Sequence, residues 1–167
     1  LGLPTVAALT PGDWDVEIRD ARVKPIDYGA RVDLVGITGL TAEMPNAYEI
    51  ADNFRKRGVK VVMGGVHVSA LPDEALRHAD SVIIGEAELV WRSALEDFKK
   101  GGLKPTYRAG RLCDMKGMAI PRRDLVDRDM FSGFHTLQAT RGCPFNCDYC
   151  AVTAFFGNKF RTRPVAD

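Results

Sequence analysis

The sequence predicts an α/β fold in which a parallel sheet is covered on both faces by helices. Two observations carry this reading. Over the first hundred residues, short β-branched runs alternate with longer stretches of helical apolar spacing, the pattern that layered α/β domains require. Three of the strand-like runs also end in glycines with hydroxyl or other polar residues beside them. In open α/β sheets the carboxyl ends of the strands form the ligand crevice.

The elements follow in order. The apolar segment Leu1–Leu9 reads as a helix, and a strand should precede it. The chain opens at Leu1 and not at Met, so it is expected to be a piece of a longer protein. Val16-Glu17-Ile18 reads as a strand and Val32–Ile37 as a buried one. Ala47, Ile50, Ala51 and Phe54 recur at helical spacing, and Gly58 supplies a stop. Val59–Met63 is the next strand. Pro72–Ala79 makes a short helix, with Pro72 suited to a first helical position. Ser81–Ile84 is a strand, and Trp91, Ala94, Leu95 and Phe98 mark a helix that stops at Gly101-Gly102. The sum is a Rossmann-like (flavodoxin-like) sheet with right-handed crossovers. In a flavodoxin-like order the first strand is central. Its loss would leave a gap, to be met by a partner chain, a rearranged order or nothing.

Composition narrows the class. The chain has 167 residues, 46% hydrophobic and 27% charged, with a formal net charge of +1. That is ordinary for a globular protein and gives no nucleic-acid footprint. The basic run Arg55-Lys56-Arg57 reads as a solvated helix end. No apolar run approaches the ~20 residues that span a bilayer, and no secretory signal opens the chain. Three of the four cysteines are crowded together, unlike a secreted disulfide framework. A reducing cytoplasm is expected.

From Gly101 to Phe134 the periodicity breaks down around Pro105, Gly110, Gly117, Pro121 and Gly133. This reads as an ordered linker on the surface. His135–Ala139 then alternates like a strand and runs into Cys143-x-x-x-Cys147-x-x-Cys150. Iron–sulfur clusters are held by cysteine thiolates, normally four, so a group of three suggests a cluster with one open iron. Gly142, Pro144, Asn146 and Asp148 let a short loop wrap such a cluster, and Tyr149 can lie against a bound cofactor. The competing reading is a zinc site completed by Cys113 or His135, although structural zinc usually takes two spaced pairs.

Three sheet-edge loops carry further candidates: Thr38, Gly39 and Thr41 after the first buried strand, Gly64, Gly65 and His67 after the next, and Gly85 and Glu86 after the third. Glycines there let backbone approach a ligand closely. His67 can ligate a metal, touch a cofactor or cap the next helix. Glu86 and Glu88 can form an acid–base pair; the plainer reading makes Glu86 a polar loop residue and lets Glu88 open the next helix. His78 reads as solvated and His135 as structural.

Thr140-Arg141-Gly142 followed by the three cysteines resembles the signature of radical S-adenosylmethionine enzymes. The stretches Asp33–Thr38, Val61–His67 and Ile84–Glu88 are similar to the cobalamin-binding domain that precedes that motif in the B12-dependent subgroup. Phe156-Gly157 and Arg161–Pro164 resemble the segment that follows the cluster loop. The resemblance implies a cobalamin-binding-type domain over 1–100, a linker over 101–134 and the start of an incomplete radical barrel over 135–167. It implies a [4Fe–4S] cluster on Cys143, Cys147 and Cys150, with S-adenosylmethionine on its fourth iron and beside Tyr149. Cobalamin would sit against the three sheet-edge loops. It further implies a flavodoxin- or ferredoxin-type electron donor and a small-molecule or lipid substrate, with methyl transfer or rearrangement at an unactivated carbon. No histidine lies in Asp-x-His-x-x-Gly, so cobalt is not expected to be held by that pattern. Only seventeen residues follow Cys150, and turnover by this piece alone is not expected. A non-catalytic module with a degenerate or zinc-filled loop is the alternative.

Overall fold

The computed structural model describes residues 2–126 and 136–166. Helix α1 (Gly2–Leu9) leads into β1 (Leu34–Thr38), α2 (Met44–Lys56), β2 (Lys60–Gly64), α3 (Val66–Ala70), α4 (Pro72–Ala75), β3 (Ser81–Ile84), α5 (Trp91–Lys99) and β4 (Thr106–Arg108). The four strands form one parallel sheet in the order β1-β2-β3-β4. Val35 lies opposite Val61, Val62 opposite Ser81 and Ile83 opposite Tyr107.

Strand side chains alternate between faces, and the core divides accordingly. Val61, Met63, Val82 and Ile84 meet Met44, Ala47, Ile50, Ala51 and Phe54 of α2 and Val68 of α3. Val62 and Ile83 point the other way, to Trp91, Ala94 and Leu95 of α5 and to Tyr107, with Val6 and Leu9 of α1 packed alongside. Each large apolar side chain buried this way contributes roughly 1.5–3 kcal/mol. The Trp91 indole N–H donates to Thr10 Oγ1 at 2.9 Å, which pins the end of α1 to α5.

Within the sheet domain the structure departs from expectation in four places. Val16–Ile18 is not a strand: it finds no ladder partner among the described residues, and Glu17 pairs instead with Arg19. The sheet runs without an internal gap, and β1 stands at its edge. Its fourth strand is β4, inside the stretch expected to be linker. Three residues are too short for a periodic signal, but Tyr107 anchors them. Its hydroxyl donates to Asp97 at 2.9 Å and accepts the Lys104 N–H at 3.0 Å. Finally, the strand order advances steadily while α2 and α5 lie on opposite faces. The β1–α2–β2 and β3–α5–β4 connections therefore have opposite hands, and the right-handed rule does not hold for both.

A second, antiparallel ladder joins β5 (Thr140–Arg141) to β6 (Arg161–Thr162), bracketing the cysteine loop and α6 (Ala151–Phe156). The expected strand 135–139 is not formed over 136–139, where pairing reduces to an Arg163 N–H bond to the Ala139 carbonyl, and His135 lies outside the described residues. The order strand, cysteine loop, helix is as expected, but the chain returns antiparallel. No helix among the described residues is long and apolar enough to cross a membrane.

Candidate cofactor site

The carboxyl ends of β1, β2 and β3 present three loops that are tied to one another. Gly65 sits at φ +107° and ψ −177°, a region essentially reserved for glycine. A Cβ there would lie 2.5 Å from Thr38 Oγ1, so the second loop presses its backbone against the first. Thr41 Oγ1 is 3.2 Å from His67 Nδ1. Ser69 Oγ donates to the Gly65 carbonyl at 2.8 Å and accepts the Gly85 N–H at 2.9 Å, joining the second loop to the third. Thr38, Gly39, Thr41, Gly64, Gly65, His67 and Gly85 thus share one edge, as the sequence suggested. Ser69, the bridge between two loops, was not singled out, because a hydroxyl one helical turn past a glycine carries no motif.

His67 is held inside this edge. Its side chain is 9% exposed, and its Nε2 lies 3.4 Å from Glu74 Oε1. With Nδ1 on Thr41, neither ring nitrogen is left for a metal. Tyr48 donates to the same Glu74 oxygen at 2.9 Å. Burial, and then the Glu74 hydrogen bond, push the Tyr48 hydroxyl up to about 12. The bonds from Tyr48 and His67 hold Glu74 below its ordinary value. His78, expected to be solvated, stacks on Tyr48 at 4.3 Å and bonds Asp52 at 2.9 Å. Tyr48 and Asp52, both on α2, bring it in, a contact without a local signal.

Glu86 turns away from a simple loop role. Its side chain is 1% exposed. One oxygen accepts from Arg141 at 2.7 Å, the other from Arg161 at 2.9 Å and from the Cys113 N–H at 2.7 Å. Arg141 also pairs with Glu88 at 2.6 Å. Glu88 thus lies in the 3-10 turn Ala87–Leu89 ahead of α5 and faces a guanidinium. The acid–base pair considered for the two carboxylates is therefore committed to ion pairs. Cys113, expected to be an isolated linker residue, is buried in this cluster. Desolvation, then Glu88 and Glu86, push its thiol up.

Burial alone would raise the Glu86 carboxyl; the bonds from Arg161, Arg141 and the Cys113 N–H outweigh it and bring it below its ordinary 4.5. A depressed folded value means that the stabilisation is complete above the unfolded value and is lost as pH falls through the folded one. Amide exchange at β5 and β6 is therefore expected to stay constant from pH 8 to pH 5 after correction for intrinsic rates, and to rise only in acid below 4.5. A rise centred near neutrality would contradict the pairing.

The cysteine loop stands on the β5–β6 stem. Gly142 has φ +84°, and a Cβ there would fall 2.1 Å from the Lys159 carbonyl oxygen. The Cys143 N–H donates to the Gly157 carbonyl at 3.2 Å, the Cys150 N–H to the Cys147 carbonyl at 3.0 Å, and Thr153 Oγ1 to the Phe145 carbonyl at 2.8 Å. All three thiols are free; Cys147 is exposed and Cys143 and Cys150 are half-buried. Tyr149 and Phe145 are open to solvent. Three soft donors on one short loop fit thiolate ligation of an iron–sulfur cluster. In the present loop shape they do not converge: among the described residues no group of three or more His, Cys, Asp or Glu surrounds a common point. Helix α6 packs against α3, which sets the loop beside the sheet edge.

A parallel sheet whose ligand edge is built from tied, glycine-rich loops defines an α/β cofactor-binding domain. Residues 1–95 match the B12 binding domain model, and the chain belongs to that family. It is 36% identical over 98% of its length to bacteriochlorophyllide d C-8(2)-methyltransferase of Chlorobaculum tepidum. It is also 36% identical, over 99% of its length, to the C-12(1)-methyltransferase of the same organism. Hopanoid C-2 methylase of Rhodopseudomonas palustris is 23% identical over 97% of the chain and 32% of its own length. The chain spans 38% of the length of each bacteriochlorophyllide methyltransferase.

Proposed function

We propose that this chain is the cobalamin-binding and cluster-bearing part of a radical S-adenosylmethionine methyltransferase. The observation that carries the reading is the joining of two sites. A three-loop sheet edge in a B12-family domain is packed, through α3 against α6, beside a loop with three free thiols. The relatives are named as methyltransferases of a tetrapyrrole and a methylase of a hopanoid, which favours methyl transfer to a large, mostly apolar substrate over rearrangement.

In this reading Cys143, Cys147 and Cys150, as thiolates, would hold a [4Fe–4S] cluster, and the exposed Tyr149 would help to bind S-adenosylmethionine. Thr38, Gly39, Thr41, Gly64, Gly65 and Gly85 present backbone and hydroxyls to cobalamin. Together these cofactors supply one-electron reductive cleavage and a methyl carrier. His67, with both nitrogens engaged, would position the second loop. The exposed Leu40, Val66 and Leu71 on or beside the first two loops add apolar surface for a large ring. A flavodoxin- or ferredoxin-type donor and a reducing cytoplasm complete the proposal.

Anaerobic iron–sulfur reconstitution of the full-length protein tests it. About four irons per chain, with an electron paramagnetic resonance spectrum that changes on adding S-adenosylmethionine, is expected. One zinc per chain, or a cluster indifferent to S-adenosylmethionine, would establish the non-catalytic module instead.

A further inference from the structure

Arg141 and Arg161 are direct partners across the β5–β6 ladder. Like charges facing each other on adjacent strands destabilise a ladder, and a two-residue ladder has little else to hold it. Between them lies the carboxylate of Glu86, from the loop after β3. It receives Arg141 Nη1 at 2.7 Å and Arg161 Nη1 at 2.9 Å, with 1% of its side chain exposed. The second nitrogen of each guanidinium goes elsewhere: Arg141 to Glu88 at 2.6 Å, Arg161 to the Phe156 carbonyl at the end of α6 at 2.9 Å. Arg161 Nη1 also donates to the Cys113 carbonyl. The Arg141 guanidinium lies over the Phe156 ring, 5.5 Å from its centroid. One carboxylate of the α/β domain therefore gathers both strands of the stem, the helix that closes the cysteine loop and the linker at Cys113.

We propose that Glu86 is a positioning residue that makes the sheet edge and the cysteine loop one mechanical unit, fixing the cluster's approach to the cobalamin side, and that it is not a cofactor contact. The proposal rests on the cluster reading above only for its consequence. The gathering of the stem by Glu86 is independent of whether iron is bound. Removing the carboxylate leaves two opposed guanidiniums on adjacent strands. Removing one guanidinium as well relieves that repulsion, so the second substitution restores what the first destroys. A merely space-filling role would make the two losses add.

The test uses full-length protein as wild type, Glu86→Gln and Glu86→Gln/Arg161→Gln. Amide exchange over 136–162, hydroxocobalamin affinity and the paramagnetic spectrum of the reduced cluster with S-adenosylmethionine are measured. Glu86→Gln is expected to speed exchange at β5 and β6 by about tenfold or more and to broaden or shift the cluster spectrum. Its cobalamin affinity stays within about twofold of wild type, because the carboxylate is committed to Arg141, Arg161 and the Cys113 N–H. The double variant exchanges more slowly than Glu86→Gln. Additive losses, unchanged exchange in Glu86→Gln, or weakened cobalamin binding with an intact stem would each overturn the proposal. If Glu86→Gln does not fold, Arg161→Lys decides. It keeps the charge but cannot serve Glu86, Cys113 and Phe156 at once. Faster exchange confined to 140–162 supports the role, and unchanged exchange overturns it. A wild type that takes up no iron would sink the cluster reading, and the exchange data would still decide the role of Glu86.

Discussion

Gly142→Ala abolishes iron uptake while leaving the parallel-sheet domain folded. Gly142 is at φ +84° in the first residue after β5, and a methyl group there would be driven to 2.1 Å from the Lys159 carbonyl oxygen and 3.1 Å from that of Gly157. Left-handed backbone alone costs an L-residue of order 1–3 kcal/mol. The contact is with main chain, which cannot rotate away as a side chain can. Relief requires the strand return at Lys159 to move, and that return carries β6. The ladder is two residues a side, so it has no reserve. Iron content by chemical assay should fall from about four per chain to near zero, with cobalamin binding retained. Full iron loading of Gly142→Ala would show that the loop forms its cluster without this stem.

Gly65→Val is the second large effect, and it strikes the other cofactor. The residue's φ of +107° and ψ of −177° lie where only glycine is found readily. A Cβ would meet Thr38 Oγ1 at 2.5 Å, and branching would worsen the clash. Strain of about 1–3 kcal/mol must be relieved by parting the first and second loops. That also strips the Gly65 carbonyl from Ser69 and, through Ser69, loosens Gly85. Since each 1.4 kcal/mol is tenfold in binding, hydroxocobalamin affinity should drop by about five- to a hundredfold, with iron loading unchanged. Equal affinity in Gly65→Val would remove this edge as the cobalamin site.

The parts of the fold that could be read from residues alone are those set by local periodicity. Helix α2 follows from Ala47, Ile50, Ala51 and Phe54, and β3 from a run that is buried along its whole length. The three loops were legible as a group because glycines follow three successive strands, with hydroxyls after the first two and carboxylates after the third. What escaped depends on pairing at a distance. Val16–Ile18 has strand composition, but a strand exists only with a neighbour, and none is offered to it among the described residues. Strand β4 has three residues and a stretch of glycine and proline around it, so only its docking against β3 makes it a strand. Glu86 is the instructive case at the site. Its place after a strand in a glycine loop suggested a cofactor contact, whereas its partners are 55 and 75 residues away. Nothing in the local pattern announces two arginines that become opposite only when the stem closes.

A visible-absorption titration of hydroxocobalamin into the folded full-length protein decides whether the sheet edge is a cobalamin site. Saturable binding at one site per chain is expected. Gly65→Val weakens it, and Glu86→Gln and Cys147→Ala do not. Absence of any spectral change with a protein that melts cooperatively would contradict a cobalamin site at the carboxyl edge of β1, β2 and β3. So would binding that survives Gly65→Val intact.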